Sequence, residues 1–363
     1  MHCVHISKVT GVAGSERHLL SLLPGLAERG LRITMLVLEE PARPADDFVD
    51  ALIEQGVTVQ RVPIRSHLDA RLPGELRRRL KRLQPDVVHT HLVHADFYGL
   101  PAAHQAGAAL CISSRHNDNA FRRNLLFRAA NRRVMRHTDR VIAISRALAR
   151  FVADVEGIDP EKVVAIPYGM QPPIYPANIR TQARKALHLS PGAVVIGFVG
   201  RLIRQKGVDV LLQAVGHLPD VQVVIIGDGP LRAELEGTAG EHVRFVGWRH
   251  DARELMAAFD VLAVPSRWEG FGLVTLEAMS HALPVVAARV SALPEIVVDG
   301  ETGLLVPAED AASLAAALNT LVTDLDLARQ MGQKGYQRLC HHFSEQAMIQ
   351  STYDVYTNKD GVV

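Results

Sequence analysis

Two carboxylates stand eight positions apart in Ser266-Arg267-Trp268-Glu269-Gly270-Phe271-Gly272-Leu273-Val274-Thr275-Leu276-Glu277-Ala278-Met279. Gly270 and Gly272 allow a ligand to approach the backbone closely, and a helical pattern starts near Gly272. The amides of Phe271, Gly272 and Leu273 at that helix start would point at an anion, at the positive end of the helix dipole. Phosphate would repel Glu277. A carboxylate there suits sugar hydroxyls better, as the acidic residue of a dinucleotide fold suits ribose. The plain alternative is that Glu277 decorates a helix, since Leu276, Ala278 and Met279 give it little reason to be buried.

A second group lies in Gly200-Arg201-Leu202-Ile203-Arg204-Gln205-Lys206-Gly207, directly after a β-branched run at 194–199. A strand ending in glycine, a planar guanidinium, a point charge and a helix from about Val208 make a cradle for phosphate. A third, Gly11-Val12-Ala13-Gly14-Ser15-Glu16, joins a strand to a helix. It is neither a P-loop nor a GxGxxG fingerprint, because its glycines are three apart and no Lys-Ser/Thr follows. His116 follows the run 111–113 at a strand's carboxyl end, with Asn117 and Asp118 placed to position it. His89, His91 and His94 suggest zinc, but 89 and 91 share one strand face and no fourth ligand is apparent. His91 is therefore read as lining an acceptor side. Asp324-Leu325-Asp326 is a DxD pattern far from any strand end and is read as a surface coincidence.

These residues need elements to hold them. A length of 363 suggests two domains at roughly 150 residues each. An apolar share of 48% and a charged share of 22% suit ordinary cores. Short β-branched runs at 4–6, 33–38, 57–62, 87–91, 111–113, 141–144 and 163–166 alternate with helical patterns such as 16–29, which Gly30 stops. Pro167, Pro172, Pro173 and Pro176 interrupt the alternation. It restarts at 194–199, 221–226, 243–246, 261–264, 284–287 and 304–306. Strand–helix alternation implies parallel sheets covered on both faces, with ligands at the strands' carboxyl ends. The fold class expected is α/β, two doubly wound Rossmann-like domains facing across a cleft. Residues 343–356 read as a tail helix that could pack on either domain.

The bulk properties exclude other classes. No apolar run reaches the ~18–20 residues of a membrane span, and no secretory leader is read. Cys3, Cys111 and Cys340 are few and scattered, which suits a reducing cytoplasm. Residues 1–180 carry 25 Lys+Arg against 18 Asp+Glu, and residues 181–363 carry 15 against 21. The excess sits in 77–82 and 122–136. It reads either as solvated helix faces or as a basic surface for anionic lipid, a peripheral contact at the inner face of a membrane. Nucleic acid is not expected, because no aromatics interleave with the arginines.

The order and spacing of several segments resemble family-4 retaining glycosyltransferases of the GT-B fold. They are Gly200-Arg201-Leu202 with Lys206-Gly207, Ile226-Gly227-Asp228-Gly229-Pro230, Phe245-Val246-Gly247, Glu269 to Glu277 with Ala278-Met279, Leu283-Pro284-Val285-Val286, and Asp299-Gly300-Glu301-Thr302-Gly303-Leu304-Leu305-Val306. The domains expected are an acceptor-binding one at 1–170, a nucleotide-sugar-binding one at 171–342 and a terminal helix at 343–363, for which crossing back to the first domain is one of the two packings open. The resemblance implies that Arg201 and Lys206 neutralise a diphosphate, that Glu277 holds ribose, and that Glu269 holds the transferred sugar. The amides of 270–273 would add to the phosphate site, and the base would lie near Gly229 and Val246 to Trp248. Gly11, Gly14 and Ser15 would face diphosphate and acceptor, and His116 the reacting carbon. No metal or other cofactor is expected. The partners implied are a nucleotide-sugar donor and a glycan, lipid-linked or small-molecule acceptor. The competing readings are a nucleotide-sugar epimerase of the same architecture, an inactive nucleotide-sugar-binding protein and, without GxGxxG, a disfavoured dehydrogenase.

Overall fold

A computed structural model describes residues 1–12, 14–65, 69–190, 192–216, 218 and 221–357. The chain divides into two units, residues 1–169 with the tail from Glu345, and Met170–Ser344. In the first unit the strands are β1 (His2–Lys8), β2 (Arg32–Glu39), β3 (Thr58–Pro63), β4 (Val87–His91), β5 (Leu110–Arg115), β6 (Arg140–Ala143) and β7 (Val163–Ala165). They form one sheet in the order β3-β2-β1-β4-β5-β6-β7, every pair parallel. Helix Gly14–Glu28 buries Leu19, Leu22, Leu23 and Leu26 at helical spacing. The tail helix Glu345–Thr357 packs on that helix and brings Met348, Ile349 and Tyr356 into the same core. The tail thus belongs to the first unit.

The second unit repeats the plan with β8 (Val194–Val199), β9 (Val221–Ile226), β10 (Val243–Gly247), β11 (Val261–Val264), β12 (Val285–Ala288) and β13 (Gly303–Val306). The order is β10-β9-β8-β11-β12-β13, again all parallel. The order reverses beside β1 and β4 in one sheet and beside β8 and β11 in the other. Loops leaving those strands splay apart at such a switch point and leave a crevice. The expected segments 11–16, 200–207 and 266–277 follow β1, β8 and β11, and His116 follows β5, the neighbour of β4. Residues 167–176 form neither helix nor strand, as the prolines require. Among the described residues, no helix is long and apolar enough to cross a membrane.

Candidate functional site

In the second unit, loops from the carboxyl ends of β8, β9 and β11 lock together. Gly200 N–H donates to Ile226 O at 3.0 Å and Leu202 N–H to Asp228 O at 2.9 Å. A Cβ on Gly227 (φ +142°) would lie 1.8 Å from the Gly200 carbonyl oxygen, and one on Gly207 (φ +65°) 2.1 Å from that of Pro265. Any side chain at either place would push a backbone aside. On the other flank Arg267 staples 266–269 to the 200–207 loop. Its guanidinium donates to Arg204 O at 2.8 Å and bidentately to Asp209 at 2.7 and 2.9 Å. Those bonds hold the Asp209 carboxyl below its usual range. Gln205 Nε2 adds a bond to Trp268 O at 3.0 Å. Sequence reasoning missed Arg267, because nothing local marks a basic loop residue as a staple.

The stapling sets Lys206 Nζ 2.5 Å from Glu269 Oε1, and Ser266 Oγ donates to the same oxygen at 2.8 Å. Glu269 is buried, and its own N–H donates to Ser291 Oγ at 3.2 Å. The two groups expected to serve phosphate and sugar separately are therefore one ion pair, in which each neutralises the other. Arg201 is exposed and has no carboxylate partner among the described residues. Helix Leu273–Ser280 begins after Gly272 (φ 96°) with no side-chain cap. Its first turn and Arg201 are thus sources of positive potential there without a paired carboxylate among the described residues.

Glu277 departs from the reading of its neighbours. It is buried, as are all residues from Thr275 to Ser280, because this short helix is covered all round, including by helix Leu325–His342. Arg253 Nε donates to Glu277 Oε1 at 2.8 Å and offsets the charge. Gly227 N–H donates to Gly247 O at 2.8 Å, which keeps Gly229 and Val246 at the same sheet end as the 200–207 loop. Beyond them the Trp248 ring is exposed. Phe271 is buried edge-on against Phe343, with ring centroids 6.0 Å apart. Gly270 and Leu273 are half-buried at the loop mouth. Asp324 caps helix Leu325–His342 by accepting Leu327 N–H at 2.9 Å, and Asp326 pairs with Arg329 at 2.6 Å, so the DxD pattern is a helix start.

In the first unit, Gly11 follows β1, and Gly14 and Ser15 open helix Gly14–Glu28; Ala13 lies outside the described residues. Ser15 Oγ donates to the buried Glu16 carboxylate at 3.0 Å. His116 follows β5 and is 8% exposed. Both its ring nitrogens are engaged within the unit, Nδ1 with Tyr168 Oη at 2.5 Å and Nε2 with His91 Nδ1 at 3.3 Å. The bonds that hold the ring thus come from Tyr168 and His91. Burial, with the charges of Arg122 and Arg115 among the lesser causes, holds His116 well below the usual histidine range. His91 is fully buried, with Nε2 3.0 Å from His5 Nδ1. The expectation that His91 lines an acceptor surface is corrected accordingly: its ring reaches His116 rather than solvent.

The family model "Glycosyltransferase Family 4" matches residues 12–172, and "Glycosyl transferases group 1" matches 193–324. Among curated proteins, the D-inositol 3-phosphate glycosyltransferase of Stackebrandtia nassauensis is 31% identical over 366 residues, 87% of this chain and 80% of that protein. The lipopolysaccharide core biosynthesis glycosyltransferase LpsE of Rhizobium meliloti is 28% identical over 353 residues, 95% and 96% of the two chains. Among solved structures, Anabaena HepE in complex with UDP and glucose matches with a TM-score of 0.85 at 21% identity, over 99% of this chain and 100% of that one. The glycosyltransferase WaaG, involved in lipopolysaccharide biosynthesis, matches at 0.74 and 19%, over 98% and 100%.

Proposed function

The chain belongs to the family-4, group 1 glycosyltransferases of GT-B fold, and from that premise we propose a specific reaction. It moves a hexose from a nucleotide-diphosphate donor to a glycan, lipid-linked or small-molecule acceptor, with retention and without a metal. The observation that carries this reading is the convergence of Arg201, the Lys206–Glu269 pair and the uncapped start of Leu273–Ser280 at one sheet end. Breaking the bond from the anomeric carbon to the diphosphate leaves negative charge on the departing oxygen. Arg201, Lys206 and the helix amides stabilise that charge, the part a metal plays in other transferases. Glu269 Oε1 already accepts from Lys206 and Ser266, which disfavours it as a covalent nucleophile. The acceptor hydroxyl then attacks from the face the phosphate leaves, and its proton passes to the leaving phosphate oxygen.

The test is incubation with nucleotide sugars, beginning with UDP-glucose because HepE is described with it, and assignment of the product anomer by NMR. A product of inverted configuration contradicts retention. Conversion of the donor with no acceptor present identifies an epimerase instead. Glu277→Ala is expected to weaken binding of the free nucleoside diphosphate roughly tenfold or more, the loss of hydrogen bonds to a charged acceptor. Calorimetric titration checks it, and undiminished binding removes Glu277 from the ribose.

A lipid-linked acceptor is favoured by residues 121–136. Phe121, Leu125 and Leu126 are exposed large apolar side chains, at 49%, 75% and 82%, and Arg123, Arg132, Arg133 and Arg136 are exposed near them in the chain. Such a segment pairs apolar insertion with attraction to anionic headgroups. At low salt the protein is expected to sediment with anionic vesicles and not with zwitterionic ones. Changing Leu125 and Leu126 to Asp should reduce partitioning roughly tenfold or more; unchanged sedimentation rejects this surface.

A further inference from the structure

The bonds around His116 continue deep into the first unit. His5 on β1 is in register with His89 on β4, and Ser7 with His91, so the three histidines share one face of the sheet. From Tyr168 Oη the links run to His116, from His116 Nε2 to His91 Nδ1 and from His91 Nε2 to His5 Nδ1, at 2.5, 3.3 and 3.0 Å. They continue from His5 Nε2 to Tyr356 Oη at 3.4 Å, from Tyr356 Oη to His89 Nδ1 at 2.5 Å and from His89 Nε2 to Ser114 Oγ at 2.7 Å. Each ring nitrogen is used once. Burial keeps these imidazoles neutral: it pushes His5 down to about 3 and holds His89, His91 and His116 well below the usual range.

A neutral imidazole has one N–H and one bare nitrogen. A row of them satisfies every link when all the N–H bonds point the same way and Tyr356 O–H donates to one neighbour while its oxygen accepts from the other. We propose that this row is a hydrogen-bond ladder of single polarity, so that its four histidines share one tautomer and Tyr356 and His5 are positioning residues for His116. In one polarity all four carry the proton on Nδ1, in the other on Nε2. Tyr356, a tail residue that links His5 to His89, thereby helps set which face of His116 bears a proton, a consequence that rests on the proposed place of His116 at the reacting centre. The same atoms could be read as a metal site, because donor atoms of His5, His89 and His91 lie within 4.8 Å of one another. No carboxylate stands among the linked groups, so a buried dication there would be uncompensated.

Two-bond ¹H–¹⁵N correlation spectra of the full chain at pH 7.5 test the ladder directly. His5, His89, His91 and His116 should all show one and the same pattern, all Nδ1-protonated or all Nε2-protonated; mixed tautomers, or a stoichiometric metal by elemental analysis, overturn it. Tyr356→Phe keeps the ring and removes the link. It should give His116 a mixed tautomer pattern and lower kcat about tenfold, with donor KM within about twofold. An unchanged His116 pattern in that variant overturns the positioning role. A changed pattern with unchanged kcat leaves the ladder standing and removes His116 from the reacting centre. Should Tyr356→Phe not fold, the wild-type spectrum decides alone.

Discussion

Replacing Lys206 by alanine is expected to lower kcat by roughly a hundred- to a thousandfold, the loss found when one preorganised donor to a developing anion is removed. Two effects combine. The departing phosphate loses a cation, and Glu269 keeps its negative charge in a buried place where Lys206 lay 2.5 Å away. The unpaired carboxylate then repels the donor's phosphates, so Lys206→Ala should be more damaging than a simple loss of one contact. Two further variants separate these contributions. Lys206→Arg should retain part of the activity. Glu269→Gln in the Lys206→Ala background should restore donor binding without restoring kcat, since the repulsion goes but the cation is still missing. Steady-state transfer assays over donor concentration read both constants. A loss below tenfold in Lys206→Ala would show that the leaving group is stabilised elsewhere.

Acidification is expected to unfold the first unit selectively. His5 and His18 are pushed down to about 3 by burial, and His89, His91 and His116 lie well below the ordinary value. In the unfolded chain these groups titrate near 6.5. Between the two values the unfolded state holds more protons, so stability is full above about pH 6.5 and falls as pH drops toward the folded values. At pH 5.5 each imidazole kept neutral by burial costs on the order of 1 kcal/mol, and together they cost several, a large part of the whole stability of a domain. The protein contains two tryptophans, Trp248 and Trp268, both in the second unit. Tryptophan fluorescence therefore reports the second unit alone, and far-ultraviolet circular dichroism reports both. The transition invisible to tryptophan should shift down steeply between pH 7.5 and 5. If that transition keeps its midpoint over the range, the histidines are not held neutral by burial.

Much of the architecture was legible because parallel strands buried on both faces read as unbroken β-branched runs. All thirteen runs are strands, and the breaks at Gly30 and around Pro172 fall where helix and sheet stop. The grouping of Arg201, Lys206, Glu269 and the Gly272 helix start was legible for the same reason, since each follows a strand end by a few residues. What was not legible depends on partners distant in sequence. Arg253 reaches Glu277 across 24 residues, and Tyr356 reaches His5 across 351. The burial of Glu277 was misread because helical periodicity identifies a solvent face only when a helix has one. His5 did leave a signal: a histidine between Val4 and Ile6 in a buried strand needs a polar partner, and β4 supplied two more imidazoles.

Titration calorimetry of nucleoside mono- and diphosphates, with a chelator present throughout, tests the central claim most directly. The diphosphate should bind at least about tenfold more tightly than the monophosphate of the same base, and the preference should vanish when Arg201 and Lys206 are both alanine. Equal affinities for the two nucleotides, or a diphosphate preference that appears only on adding a divalent cation, would contradict it.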